Sequence, residues 1–297
     1  MVSGRRVGAR SGEHIRAALV EAMTMAATQL PADIVAALQS ARARETSELA
    51  TEQLDAILSN VNIARAGSIP MCQDTGIQTF FVSLGQDSPF LGHLQEWLAQ
   101  AVREATDVIP LRPNTVHPFS GANPGDNTGC RMPLVNWEVA EGGDIEIVVL
   151  PKGGGGENMS ALKMLPPGVG IKGIQRAIVE HVVSCGGKPC PPAVLGIGIG
   201  GGADTAMKLA KRAILRTVGL AHPEQTVATF ERELLEMINM SGVGPMGLGG
   251  ATTALAVHVE YAHRHPASLP LGIVVQCWAA RQARVRIRPD GTTEVGQ

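Results

Sequence analysis

The sequence has few aromatic residues, no long apolar run and no block of like charge. Aromatic residues make up 3% of the 297 residues, and 25 Lys and Arg nearly balance 27 Asp and Glu. A nucleic-acid surface usually needs a basic patch or stacking aromatic rings, so that class of function is disfavoured. A membrane-spanning helix needs about 20 consecutive apolar residues, and no stretch approaches this length. We therefore expect neither nucleic acid nor membrane as a partner.

Features of a secreted, disulfide-bonded protein are also missing. The basic start, MVSGRRVGAR, leads into no apolar signal segment, and residues 1–10 are predicted to form a loose tail. The five cysteines are odd in number and spread over a long chain, which argues against a disulfide framework. Reduced thiols in the cytoplasm are therefore expected.

The apolar periodicity predicts a helical N-terminal layer followed by a body of mixed sheets. Helical spacing runs from a predicted cap at Ser11 to about Gly67. Strands and helices then alternate, with strand composition in QTFFVSL, DIEIVVL, AVLGIGIG and LGIVVQC. The predicted fold class is α+β (mixed α/β), with one domain over residues 11–290 and a C-terminal tail at 291–297.

Three of the five cysteines lie in rigid or strand-end contexts. Cys72 lies between a proline and a polar turn (SIPMCQDTG), Cys190 lies among prolines (GGKPCPPAV), and Cys277 ends an apolar strand (GIVVQC). Ordinary packing is the alternative for any single cysteine, and no spacing matches a CxxC zinc site or a ferredoxin motif. Converging thiolates could hold a 4Fe–4S cube whose remaining iron acts as a Lewis acid.

Two glycine-rich segments suggest anion binding. In LPKGGGGENMSALKML, Gly153–Gly156 could form an anion-binding nest before a helix that starts in ENMSALKML, although a surface turn is the alternative. In GIGIGGGAD, Gly196, Gly198 and Gly201 match the GxGxxG dinucleotide pattern. No acidic residue follows about 20 positions later, so close packing of strand and helix is favoured over a nicotinamide site.

Two further polar residues could act on a small acid. Arg112, in PLRPN, can offer a bidentate fork to a carboxylate. His265, in HRHPASLP, could transfer protons or orient a ligand. A surface ion pair and a structural histidine are the alternative interpretations.

Taken together, these segments resemble the oxygen-sensitive, iron–sulfur class I fumarate hydratases. The resemblance is to the alpha subunit of the two-chain form, which is related to the alpha subunit of L-tartrate dehydratase. It extends from about Ser11 to Arg288 and depends on PMCQDTG, PLRPN, NPGDNTG, PKGGGGENMSALKMLPP, KPCPPAVLGIGIGG, GVGPMGLGG, HPASLP and QCWAAR.

The resemblance implies a site and a reaction. Cys72, Cys190 and Cys277 would hold the 4Fe–4S cluster, whereas Cys130 and Cys185 would not. Asp74 and His265 would act in catalysis, and the residues that contact the C4 dicarboxylate would be Gln73, Asp74, Arg112, Gly154 and Asn158. The reaction would be the reversible dehydration of (S)-malate to fumarate.

A partner is also implied. Single-chain relatives continue into a second domain that supplies the catalytic base, and no such region precedes Gln297 here. We therefore expect a separate beta subunit in an α2β2 assembly. The alternatives are L-tartrate or a methylated diacid such as mesaconate as substrate, or a noncatalytic iron–sulfur sensing subunit.

Overall fold

A computed structural model describes residues 9–297, which form a mixed α+β fold and so confirm the predicted class. Within this range the eight α-helices are α1 (Ala9–Thr28), α2 (Ala32–Arg44), α3 (Glu48–Gly67), α4 (Leu94–Val108), α5 (Gly154–Asn158), α6 (Gly170–Cys185), α7 (Ala203–Ala213) and α8 (Gln225–Asn239). The nine strands are β1 (Ile77–Gly85), β2 (Leu134–Ala140), β3 (Ile145–Lys152), β4 (Ala161–Leu165), β5 (Ala193–Ile199), β6 (Ala254–Tyr261), β7 (Leu269–Gln276), β8 (Ala283–Ile287) and β9 (Thr293–Gly296). No helix between residues 9 and 297 combines the length and the apolarity that crossing a bilayer requires.

Secondary structure is found near both ends of the described range. Residues 1–8 of the predicted N-terminal tail lie outside the described residues, and α1 already begins at Ala9, so Ser11 lies within the helix instead of capping it. The predicted C-terminal tail contains β9, which pairs antiparallel with β8. The turn between these strands is held by Asp290, whose Oδ1 accepts from the amide of Thr292 at 2.9 Å.

Two compact units divide the chain. The first comprises the described residues up to Pro31, Val61–Lys152 and Arg281–Gln297. Its sheet has the order β2-β1-β3-β8-β9, with β1 and β2 parallel and the other pairs antiparallel. Alternate residues of β3 enter the core with α1 and α4, because side chains of a strand point to opposite faces in turn.

The second unit comprises Ala32–Asn60 and Gly153–Ala280. Its sheet has the order β4-β7-β5-β6, and β7 is buried along its whole length. Helix α7 lies so close to β5 that a Cβ at Gly196 or Gly198 would lie about 2 Å from a carbonyl oxygen of the helix (2.0 and 1.9 Å). These glycines permit close packing of strand and helix, as predicted for GIGIGGG.

One predicted helix is wrong. The segment ENMSALKML does not start a helix after the four glycines; Gly154 itself begins the short helix α5, and Ala161–Leu165 form strand β4. Strand β4 pairs antiparallel with β7, from Ala161 opposite Ile273 to Leu165 opposite Leu269. Pairing along the edge of a buried strand thus overrides the helix propensity of Ala, Leu, Lys and Met.

Candidate functional site

Cys72 begins a short polar turn in the first unit. Its side chain is half-buried, while the side chain of Gln73 is exposed. Oδ1 of Asp74 accepts from the amide of Gly76 at 3.0 Å, which closes the turn before β1. The turn therefore presents a thiol and an amide next to each other, with part of the Asp74 carboxylate used to hold the backbone.

The segment that contains Arg112 is fastened to this turn. The amide of Arg112 donates to Oγ1 of Thr75 at 3.0 Å. Asn114 donates from Nδ2 to the same oxygen at 3.2 Å and to the carbonyl of Gly76 at 3.1 Å. The guanidinium side chain of Arg112 is exposed. The structure therefore brings Arg112 to the turn that carries Cys72, Gln73 and Asp74.

Asn127 is a connecting residue that the sequence did not single out. It is 4% exposed and has a left-handed backbone (φ 59°), which asparagine tolerates better than most residues. Its Oδ1 accepts from the amide of Asn114 at 2.7 Å, and its Nδ2 donates to the carbonyl of Arg112 at 3.0 Å and to Oγ1 of Thr106 at 3.1 Å. The only sequence signal for this role is the NPGDNTG motif.

Cys190 and Cys277 lie side by side in the second unit. The amide of Trp278, the residue after Cys277, donates to the carbonyl of Cys190 at 3.1 Å. Cys190 has a left-handed backbone (φ 54°), and its amide donates to the carbonyl of Gly187 at 3.0 Å. Both thiols are half-buried. Two of the three predicted cluster ligands are thus neighbours.

The two remaining cysteines have different surroundings. Cys130 is exposed, and Cys185 is buried at the end of α6 with its Sγ 3.6 Å from Nε2 of His181. Burial raises the pKa of the Cys185 thiol above its usual value. No disulfide joins any of the five cysteines. Cys185 therefore has the features of a packing residue.

His265 lies in an exposed loop whose backbone is held by its neighbour. Nη1 of Arg264 lies within hydrogen-bond distance of the carbonyl oxygens of His265, Pro266 and Ser268, at 3.0 to 3.1 Å. Nδ1 of His265 accepts from the amide of Ala267 at 3.1 Å. A neutral ring in this arrangement carries its proton on Nε2, which can then donate to a ligand.

Gly154 and Asn158 are exposed residues at the start and end of α5. A Cβ on the intervening Gly155 would lie 3.5 Å from the carbonyl oxygen of Lys188, so α5 packs beside the segment that leads to Cys190. In each unit, predicted site residues are therefore close to a predicted cluster ligand. The sequence predicts an anion-binding nest at Gly153–Gly156 followed by a separate helix. In the structure Gly154 already begins the single-turn helix α5, so the nest and the helix are not separate.

Arg281 is a second residue that the sequence did not single out. It is 1% exposed, and its Nη2 donates to the carbonyl of Asp74 at 2.9 Å, whereas Nε and Nη1 have no hydrogen-bond partner among the described residues. Within residues 9–297, no three His, Cys, Asp or Glu side chains are grouped so as to hold a metal ion. A 4Fe–4S cube differs from a single ion because each thiolate binds a different iron. Reduced thiols are the usual ligands of such a cluster, and a buried, incompletely bonded guanidinium suits an anionic group.

Known proteins are similar to nearly the whole of this chain. The family model described as Fumarate hydratase (Fumerase) matches residues 16–286. A protein of Methanocaldococcus jannaschii, provisionally assigned as L(+)-tartrate dehydratase subunit alpha, is 48% identical over 276 residues, which are 92% of this chain and 97% of that protein. The L(+)-tartrate dehydratase subunit alpha of Escherichia coli strain K12 is 37% identical over 271 residues, 91% of this chain and 89% of its own.

Proposed function

The chain belongs to the fumarate hydratase family, and from that premise we propose that it is the alpha subunit of a 4Fe–4S-dependent hydro-lyase that interconverts (S)-malate and fumarate. The observation that supports this most is the hydrogen bond from the amide of Trp278 to the carbonyl of Cys190, which joins the backbones at two half-buried cysteines, Cys190 and Cys277. We also propose that the protein is cytoplasmic, because that is the compartment in which cysteines stay reduced.

Cys72, Cys190 and Cys277 would hold the cluster. When bound, the cluster would supply a Lewis-acid iron that eases departure of the substrate hydroxyl, because hydroxide is otherwise a poor leaving group. The hydrogen-bonded backbones of Cys190 and Trp278 and the closed turn after Cys72 would limit movement of the three sulfurs.

Arg112 and Gln73 would bind the carboxylates of the substrate. The guanidinium of Arg112 can form two parallel hydrogen bonds with a carboxylate, and the amide of Gln73 can donate a further one. Because the backbone of Arg112 is fastened to Thr75, three residues after Cys72, the carboxylate clamp has a fixed position relative to a cluster ligand. Gly154 and Asn158, on the short helix beside the segment that leads to Cys190, would also contact the substrate.

His265 and Asp74 would take part in proton movement. As long as the amide of Ala267 donates to Nδ1, neutral His265 can donate a hydrogen bond from its Nε2–H group and has no free lone pair with which to accept a proton. His265 would therefore donate to the substrate, and a separate base would remove the weakly acidic proton beside the carboxylate. We assign that base to a beta subunit, since the relatives above are named as alpha subunits, and we propose an α2β2 assembly.

L(+)-tartrate is the second candidate substrate, because the relatives above are named for it. Tartrate differs from malate by an additional hydroxyl group on the carbon that loses its proton. A pocket that accepts tartrate must offer that hydroxyl a hydrogen-bond partner, since an unpaired polar group in a closed site is costly. The side-chain amide of Gln73 or of Asn158 could provide it.

Anaerobic purification with the partner subunit, followed by cluster reconstitution, tests the proposal. Fumarate formation from malate and oxaloacetate formation from tartrate are then followed in parallel. We expect turnover of at least one diacid, with a rate that decays in air because an iron without a thiolate is easily lost. A reconstituted complex that converts neither diacid, nor a methylated one, would favour a sensing subunit and contradict the proposal.

A further inference from the structure

The guanidinium of Arg281 is buried without an anionic partner. Its two acceptors are neutral backbone carbonyls, those of Asp74 at 2.9 Å and Pro151 at 3.5 Å, and both bonds come from Nη2. Nε and Nη1 have no hydrogen-bond partner in the part of the chain that the structure describes. A guanidinium has five N–H donors and no acceptor, so the unpaired N–H groups of Arg281 can be satisfied only by an acceptor.

An unpaired buried charge destabilises a folded protein. Removing a cation from water costs several kcal/mol unless an anion or a full set of hydrogen bonds compensates. Arg281 is 1% exposed, so bulk water does not supply this compensation. The chain therefore contains a cationic group that is arranged for an anion from outside its own side chains.

The position of Arg281 indicates which anion this is. Arg281 is hydrogen-bonded to Asp74, which comes two residues after Cys72, and all three residues belong to the first unit. Along the chain, Arg281 follows Cys277 by four residues. Two of the three proposed cluster ligands are therefore close to Arg281 in space or in sequence. A cube held by three thiolates carries negative charge on its sulfurs, which accept N–H hydrogen bonds.

We propose that Arg281 donates its Nε–H and Nη1–H groups to sulfur atoms of the bound cluster and compensates its negative charge. This inference rests on the proposed function, because it requires the cluster. It makes Arg281 a positioning and charge-compensating residue, whose bond to Asp74 also ties the Gln73–Asp74 turn to the cluster. Such outer hydrogen bonds strengthen metal binding and raise the reduction potential of iron–sulfur centres.

Two substitutions separate charge from structure in the full-length chain. Arg281→Gln keeps a donor for the carbonyl of Asp74 but removes the charge, whereas Arg281→Lys keeps the charge. We expect the Gln variant to release iron to a chelator on the order of tenfold faster and to have a more negative reduction potential. Its cluster-free form should unfold at a higher temperature than cluster-free wild type, because an uncompensated charge has been removed. The Lys variant should lie closer to wild type in all three measurements.

Arg281→Gln should stabilise the cluster-free form and weaken retention of the bound cluster, and these opposite effects distinguish charge compensation from a purely structural role. Equal destabilisation of the cluster-free and cluster-bound forms would mean that Arg281 only supports the backbone, and would overturn the inference. An unchanged iron release and potential with a raised KM would assign the guanidinium to the substrate and also overturn it. Arg286→Gln is the matched control, because this exposed arginine pairs with Asp144 on the surface and should change both forms little. Wild-type protein that binds no iron after reconstitution would instead contradict the proposed function itself.

Discussion

The amide nitrogen of Trp278 lies 3.1 Å from the carbonyl oxygen of Cys190 and donates to it, which couples two loops that are distant in sequence. The loop before Cys190 is closed by the bond from the amide of Cys190 to the carbonyl of Gly187. Both bonds involve only the backbone, so they persist when a cysteine is replaced by serine. Loss of iron in such a variant would then report the thiolate and not a collapsed loop.

Gly187→Ala should disturb this arrangement without touching a thiol. A Cβ at residue 187 would lie 2.6 Å from the carbonyl oxygen of Met246, so either backbone must move. We expect a loss of about 1 to 3 kcal/mol in the free energy of unfolding and a lower iron content after reconstitution. Gly92→Ala is the control, since nothing lies within 4 Å of its Cβ. Equal iron content in the two variants would contradict the proposed support of Cys190.

Asn127→Ala should loosen the Arg112 segment. The substitution removes three hydrogen bonds of a buried side chain, including those to the backbone of Asn114 and Arg112. We expect a loss of about 2 to 3 kcal/mol by urea unfolding, and a raised KM for the diacid with little change in iron content. Asn62→Ala, at an exposed position of α3, should have a smaller effect on both. A KM that stays at the wild-type value would show that the hydrogen bonds of Asn127 do not support substrate binding.

Arg112→Ala should weaken substrate binding and leave the cluster in place. Loss of a charge-assisted, bidentate hydrogen bond to a carboxylate corresponds to a rise in KM on the order of tenfold to hundredfold. Arg112→Lys should restore only part of the affinity, because lysine offers a point charge without the planar fork. Iron lost together with affinity would indicate a structural role for the side chain.

His258 should make the fold sensitive to acid. Burial, and secondarily the charge of Arg216, lowers the pKa of this histidine from 6.5 to about 4, and neither ring nitrogen has a hydrogen-bond partner among the described residues. The unfolded chain then binds a proton more readily than the folded chain between these two values. Stability is therefore complete above about pH 6.5 and falls as the pH drops towards 4, by roughly 3 kcal/mol in total.

Unfolding by urea at several pH values measures this effect. His258→Leu removes the titrating group while keeping an apolar side chain of similar reach, so its stability should depend less on pH in that window. Parallel stability curves for the variant and the wild type between pH 4 and 6.5 would show that His258 is not responsible.

Much of the fold could be predicted because local pattern and tertiary structure agree. Runs such as DIEIVVL have β-branched residues in alternation, and β3 is buried accordingly. Strand β4 was missed because Ala161–Leu165 contain helix-forming residues, and only pairing with β7 makes them a strand. Strand β9 is not predicted because the strand pattern ends with ARVRIR, although the Asp290–Gly291 pair that follows is a hairpin signal.

Some residues of the candidate site could also be predicted from the sequence, whereas others could not. Cys72, Arg112 and His265 could be singled out because thiol, guanidinium and imidazole groups beside prolines or turns are chemically distinctive. Asn127 and Arg281 could not, since their roles depend on partners far away in sequence, such as Asn114 and Asp74. Neither a left-handed asparagine nor a fully buried arginine is visible before the chain is folded.

Iron content after anaerobic reconstitution of five cysteine variants tests the central claim most directly. Cys72→Ser, Cys190→Ser and Cys277→Ser should each lose most of the bound iron and the visible absorbance of the cluster. Cys130→Ser and Cys185→Ala should keep both, because the first thiol is exposed and the second packs at the end of α6. Retention of wild-type iron by any of the first three, or equal loss in all five, would contradict a cluster held by Cys72, Cys190 and Cys277.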